Sequence, residues 1–329
     1  VQSDLRSKVM EAFSKAEGEF ISGQEMADYI GCSRTAVWKH IEDLRNDGYI
    51  LEAVRRKGYR LLSIPEKVSA NEIQLLLETK SLGRVIHYEE SVDSTQKIAH
   101  SLANRGAVEG TLVVAEEQTT GKGRLSRSWH SPKYTGVWMS LLLRPKIPFY
   151  EAPQLTLLAA VAAAQAIERV TTLQPEIKWP NDLLLNGKKI TGILTELQAE
   201  SDQIHSVIIG MGINANLTPS DFPQELEEIA TSLFIESGQL VSRAKLIAEV
   251  LMCFETLYDR YLIEGFTPIK ALWESYAMSL GKEIKATMLN ETVIGTALGI
   301  TDAGVLLLED KQGKVHSIYS ADIEIPSNK

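Results

Sequence analysis

Leu5, Val9, Met10 and Phe13 recur at helical spacing and predict a first helix with one apolar face. Ser22-Gly-Gln-Glu25 has the form of a capping box opening a second helix, with Met26, Ala27 and Ile30 turned inward. Gly31 ends that helix and Ser33 is placed to cap a third, whose inward stripe is Val37, Ile41 and Leu44. Arg34, Thr35, Trp38 and Lys39 fall on its other faces. Gly48 closes it, after which Tyr49–Val54 and Tyr59–Leu62 alternate as two strands around the basic tip Arg55-Arg56-Lys57-Gly58. Three helices followed by such a hairpin describe a winged helix-turn-helix, with the third helix placed as a recognition helix.

Ser63–Asn71 reads as a linker before a short helix through Leu77. Strands and helices then mix. His87–Val92 is strand-like, and Asp93-Ser94-Thr95-Gln96 starts a helix to Arg105. Leu112–Ala115, Val137–Arg144 and Ser206–Gly210 read as strands; Leu155–Val170, Phe222–Leu233 and Ser242–Glu264 read as helices. Between them, Leu183–Leu185, Asn186-Gly187 and Lys188–Ile193 form a hairpin signal, since Asn-Gly suits a turn with two positive φ angles. Strand alternation sends Lys188 and Lys189 to opposite faces, so one can enter a pocket while the other stays in water. A surface hairpin with solvated lysines has the same pattern. Pro180 breaks the preceding strand and leaves Asn181 and Asp182 in a loop. Past Trp273 and Tyr276, the short strands Glu283–Thr287, Thr292–Ile300, Val305–Leu308 and Val315–Ile318 predict a small all-β barrel.

A net charge of −9 over 329 residues argues against general affinity for nucleic acid, so DNA contact must be local. Residues 1–65 carry ten Lys and Arg against ten Asp and Glu. Three consecutive cations at a hairpin tip nevertheless repel one another, and phosphate is the simplest relief. A solvated helix face, or a winged helix that binds protein, is the competing reading. Cys32 and Cys253 lack metal-ligand spacing, no signal peptide opens the chain, and the apolar run Leu155–Ile167 is too short for a bilayer. A cytoplasmic protein without membrane attachment is expected. No Ser-His-Asp or Cys-His arrangement and no metal site is apparent.

Gln118–Trp129 reads Gln-Thr-Thr-Gly-Lys-Gly-Arg-Leu-Ser-Arg-Ser-Trp, in which Gly121 and Gly123 let backbone N–H groups approach an anion beside Lys122, Arg124 and Arg127. Together with Lys178-Trp-Pro-Asn-Asp182 and a lysine eleven residues past Lys178, this loop resembles the biotin–protein ligase family, especially the bifunctional members that also repress the biotin operon. The resemblance covers nearly the whole chain in motif order. It implies an α+β multidomain protein with a winged helix-turn-helix at 1–65, a central mixed α/β catalytic domain of the class II aminoacyl-tRNA synthetase/biotin ligase type at 66–275, and an SH3-like β-barrel at 276–329.

The resemblance also implies the chemistry: ATP and biotin give biotinyl-AMP and pyrophosphate, then a lysine of a biotin carboxyl carrier protein takes the biotinyl group. It makes Lys189 and Arg124 catalytic. Ser94, Thr95, Gln96, Gln118, Lys122, Gly123, Arg124, Lys189 and Gly192 would bind biotin. Arg124, Arg127, Trp129, Lys178, Asn181, Asp182 and Asn214 would bind ATP or the adenylate. Lys122 stands where the family carries arginine, which keeps the charge and loses the planar fork. Mg²⁺ is expected with ATP. Operator DNA would be met by Arg34, Thr35, Trp38, Lys39, Arg55, Arg56 and Lys57, and the adenylate-bound protein would be a homodimer. A ligand-sensing transcription factor without ligase activity, and a lipoate-type protein ligase, are the alternatives.

Overall fold

The computed structural model describes residues 2–16, 18–46, 49–54, 56–63, 68–200 and 203–325. Two compact units, 1–67 and 68–329, divide the chain. The first holds α1 (Gln2–Lys15), α2 (Gly23–Ile30), α3 (Arg34–Asn46), β1 (Ile50–Val54) and β2 (Gly58–Ser63). The capping box of α2 forms as expected: Glu25 N–H donates to Ser22 Oγ at 3.1 Å and Ser22 N–H to Glu25 Oε2 at 2.9 Å. A left-handed Gly31 stops the helix, and Ala36 N–H donates to Ser33 Oγ at the start of α3. Val9, Phe13, Met26, Ile30, Val37, Ile41 and Leu44 meet in one core beneath the antiparallel β1–β2 hairpin. The expected stop at Gly48 and the wing residue Arg55 lie outside the described residues.

The second unit begins with α4 (Ala70–Leu76), β3 (Ile86–Glu89), α5 (Thr95–Asn104), β4 (Leu112–Ala115), β5 (Val137–Leu143), α6 (Ala152–Val170), β6 (Glu176–Lys178), β7 (Asp182–Leu185), β8 (Lys188–Glu200) and β9 (Gln203–Ile213). It continues with α7 (Leu233–Ser237), α8 (Arg243–Glu264), α9 (Thr267–Tyr276), β10 (Glu283–Thr287), β11 (Thr292–Ile300), β12 (Leu306–Asp310), β13 (Val315–Ile318) and β14 (Asp322–Glu324). Seven strands form one mixed sheet in the order β3-β4-β5-β9-β8-β7-β6, in which only β3 and β4 run parallel. Both faces are covered, so β4, β5 and the 207–209 stretch of β9 are apolar at nearly every position. Val113, Leu142 and Ile208 pack against α5, while Leu112, Leu141, Val207 and Ile209 point to the larger core around α6. The alanine-rich α6 is buried along most of its length against the sheet, α8 and α9. The last five strands make a small antiparallel sheet, β13-β12-β11-β10-β14.

Several expected bounds move. Ser69 sits inside the expected linker yet caps α4, accepting from Glu72 N–H. The strand expected to Val92 ends at Glu89, and β12 starts one residue late and runs on to Asp310. The helix α9 and the last strand, β14, have no counterpart among the expected elements. The helix expected over Phe222–Leu233 is replaced by two 3₁₀ turns, Pro219–Asp221 and Gln224–Leu226, and an extended passage into α7. Two requirements override helical periodicity there. Leu226 N–H closes a tight turn onto Pro223 O, and residues 229–231 must stay extended to bond the backbone of Lys189 on both sides.

Candidate functional site

A cavity of about 550 Å³ opens between the sheet, the N-terminus of α5, the 121–129 loop and β14. Its size suits a small-molecule ligand. The turn Asn186-Gly187 adopts the two positive φ angles expected of it, 50° and 79°. Lys189 then faces the cavity, 2.7 Å from Asp182 Oδ1, with its Nζ 5.1 Å from the centre of the Trp129 ring. Its backbone N–H donates to Ile229 O and its carbonyl accepts from Thr231 N–H, which locks the residue at both ends. Lys188 points away and donates to Glu227 O at 2.8 Å.

Simple alternation does not produce this arrangement. Lys189 pairs with Leu184 and Thr191 with Leu183, so Ile190 is an extra residue, a β-bulge. Ile190 and Thr191 both go to the core, and Lys189 and Gly192, three residues apart, share the cavity face.

At one end of the cavity, Ser94 precedes α5 but makes no capping bond with its side chain. That role passes to Gln118, whose Oε1 accepts from Thr95 N–H at 2.9 Å while its Nε2 donates to Ser131 Oγ at 3.0 Å. The Ser94 hydroxyl is therefore not consumed by the helix. Gln96 lies flat on the sheet with its Nε2 donating to Leu194 O and Ile208 O. A side chain at Gly210 would meet it, since a Cβ there would stand 2.6 Å from Gln96 Oε1.

At the other end the loop folds back on itself, Gly123 N–H donating to Arg127 O and Trp129 N–H to Gly121 O. Arg124 Nη1 donates to Asn181 Oδ1 at 2.9 Å and Nη2 to Ser320 Oγ at 2.8 Å. Burial lowers its pKa while Asp182 and Asp322 oppose the shift; an arginine so placed stays charged at neutral pH. Arg127 pairs with Asp322 through both guanidinium nitrogens. The shared hydrogen bond raises the arginine and holds Asp322 below the usual carboxylate range. Trp129 lies over Gly192 and Gly212, paired neighbours on β8 and β9, where added Cβ atoms would fall 2.7 and 2.1 Å from its ring. Asn181 is buried, its Nδ2 donating to Ile193 O, and Asn214 Nδ2 donates to Thr231 O; both line the cavity with Lys178 and Lys122. Asp182 opens β7 instead of sitting in a loop.

Every residue expected to meet biotin or nucleotide thus lines one cavity. Sequence reading passed over four contributors: Ser140, buried at the cavity end; Ser320 and Asp322, which hold the loop arginines; and the 229–231 segment behind Lys189. A lone serine within the apolar run of β5 was the available signal for the first. In the N-terminal unit Arg34, Thr35, Trp38, Lys39, Arg56 and Lys57 are all exposed, Trp38 by 56%. The aromatic ring of Phe20 lies under Lys57 and Arg60 at 5.7 and 4.7 Å.

Models of three families match in order along the chain: an HTH domain at 6–60, the biotin/lipoate A/B protein ligase family at 88–214, and the biotin protein ligase C terminal domain at 279–325. The sequence is 58% identical to the bifunctional ligase/repressor BirA of Bacillus subtilis over 99% of this chain and 100% of that one. The chain belongs to the bifunctional ligase/repressor family. A more distant member, BirA of Escherichia coli, is 30% identical over 89% of either chain. The biotin protein ligase of Aquifex aeolicus, solved in complex with biotin and ATP, superposes with a TM-score of 0.64 at 29% identity. It covers 74% of this chain and 99% of its own. Among the described residues no helix is long and apolar enough to cross a membrane.

Proposed function

We propose that this bifunctional ligase/repressor activates biotin with ATP to biotinyl-AMP and transfers the biotinyl group to a lysine of a biotin carboxyl carrier protein. The observation that supports it is one cavity with hydroxyl and amide groups at one end and Lys189 and Arg124 at the other. Ser94, Thr95, Gln118 and the Gly123 backbone would hold the ureido ring, and Gln96 and Gly192 would shape its seat. The biotin carboxylate oxygen attacks the α-phosphorus and pyrophosphate leaves. Lys189 and Arg124 neutralise the carboxylate and phosphate oxygens that must be held together, with Lys122, Lys178 and Arg127 behind them. Trp129, Asn181 and Asn214 would bound the nucleotide. The acceptor amine then attacks the anhydride carbonyl, AMP leaves, and Asp182 orients the amine. Adenylate made from ATP and labelled biotin is the test; a purified chain that makes none overturns the reading, and one that makes a lipoyl adenylate instead replaces it.

No cluster of three metal-binding side chains occurs among the described residues, and Asp182 is already paired with Lys189. Mg²⁺ carried by the ATP phosphates, with water as further ligands, fits that donor set and would neutralise phosphate charge. We assign the functional divisions 1–65, 66–275 and 276–329, the last two sharing one core, and a cytoplasmic setting.

The N-terminal unit supports repression through operator DNA. Arg55, Arg56 and Lys57 would take phosphates, and Arg34, Thr35, Trp38 and Lys39 would include the base-reading groups. Lys57→Ala should weaken all sequences alike and reduce the slope of log affinity against log salt by about one. A change in sequence preference at constant slope would reverse this assignment. One winged helix offers little contact area, so two on a symmetric adenylate-bound dimer would bind paired half-sites. A coupling of about 1–3 kcal/mol between adenylate and assembly would suffice. Sedimentation should show dimer with biotinyl-AMP and monomer without; a repressing monomer would refute the link.

A further inference from the structure

Ser140 is wholly buried in β5, at the end of the cavity. Its Oγ lies 2.9 Å from Gln96 Oε1 and 2.8 Å from Thr95 Oγ1. Counting hydrogens fixes the direction of both bonds. The two hydrogens of the Gln96 amide go to Leu194 O and Ile208 O, and carbonyls only accept, so Gln96 Oε1 faces Ser140 as an acceptor. Ser140 has one hydrogen; giving it anywhere else leaves a buried acceptor without a donor. Its oxygen then confronts Thr95 Oγ1 with lone pairs, and the contact is attractive only if Thr95 donates. Gln118 Oε1, 3.1 Å from the same hydroxyl, is a second acceptor within reach of that hydrogen, so Thr95 spends it inside the protein in either case, and the shorter contact is the one to Ser140.

We propose that Ser140 is a positioning residue: by giving its proton to Gln96 it makes Thr95 spend its own on Ser140, so Thr95 meets the ligand purely as an acceptor. A head group must then offer an N–H at that point. This rests on the biotin reading above, and it separates a ureido ring, which carries two N–H groups, from a dithiolane, which has none. The relay selects by proton direction, and it depends on the glycine at 210 that lets Gln96 lie down.

The test uses titration calorimetry on the full chain with biotin and with the two cyclic carbamates in which one or the other ureido N–H is replaced by oxygen. The wild-type chain should prefer biotin by about 5–150-fold over the isomer that sets oxygen against Thr95, the range for a stranded polar pair. In Ser140→Ala the freed Thr95 hydrogen turns to that oxygen in competition with Gln118 Oε1, and the preference should fall roughly fivefold or more. Ser140→Cys, similar in shape and a weaker donor, should fall between, and gives the same readout if the alanine variant does not fold. A serine that only fills space would alter both affinities together, so an unchanged preference overturns the relay. So does a wild-type chain that binds both ligands equally. A wild-type chain that binds no biotin overturns the parent reading and the relay with it, whereas the two outcomes above overturn the relay alone.

Discussion

Replacing Lys189 by alanine should slow adenylate formation by about 10²–10³-fold, the loss seen when one preorganised charge donor is removed from a developing anion. The residue is held on both sides by the 229–231 segment and pairs with Asp182 on the neighbouring strand, so its ammonium is in place before substrate arrives. Lys188→Ala removes a cation of equal charge one residue away, but that side chain bonds Glu227 O outside the cavity. Its effect on the rate should be close to nil. Single-turnover formation of labelled adenylate separates the two variants; equal losses would mean that bulk positive charge, and not position, serves the reaction.

The choice between those lysines also marks how far the sequence could be read. The Asn-Gly turn was legible because only a narrow set of residues tolerates two consecutive positive φ angles. Which lysine faces in was not legible from alternation: counting back by twos from Gly192 selects Lys188, and the bulge at Ile190 selects Lys189. Family resemblance supplied the answer that periodicity lacked. The capping box, the helix stripes of the N-terminal unit and the all-apolar strands were legible because local chemistry and burial agree there. Phe222–Leu233 misled because its periodicity suits a helix while the neighbouring hairpin demands extended backbone. Ser320, Asp322 and Ser140 are distant in sequence from the groups they touch, and no spacing rule connects them.

Replacing Arg243 by methionine should destabilise the second unit by about 3–5 kcal/mol, because it strands a buried carboxylate. Arg243 and Glu116 side chains are 2% and 1% exposed and meet at 2.6 Å. Arg243 also donates to Gly136 O, and Glu116 Oε1 accepts from Val68 N–H. The pair fastens the end of β4, two residues before Gln118, to α8 and to Val68, the first residue of the second unit. Denaturant unfolding should show the loss, and replacing Glu116 by leucine in the same chain should restore most of it, since the pair contributes less than its breakage costs. By contrast Arg260→Ala, which breaks the exposed pair with Glu264, should be close to silent. A double variant no more stable than Arg243→Met would show that Glu116 is not the cause.

The bulge at Ile190 gives the hairpin an arithmetic of parity. Faces on a strand repeat modulo two, so smoothing the bulge without changing chain length would turn Lys189 outward and Lys188 inward. Deleting Ile190 outright would keep Lys189 inward, because one residue and one irregularity vanish together. A slip by one position, which elsewhere in the sheet would exchange apolar for polar, here exchanges one lysine for its neighbour. At this point of the strand the doubled lysine makes the charge indifferent to register: in either one, an ammonium faces the cavity.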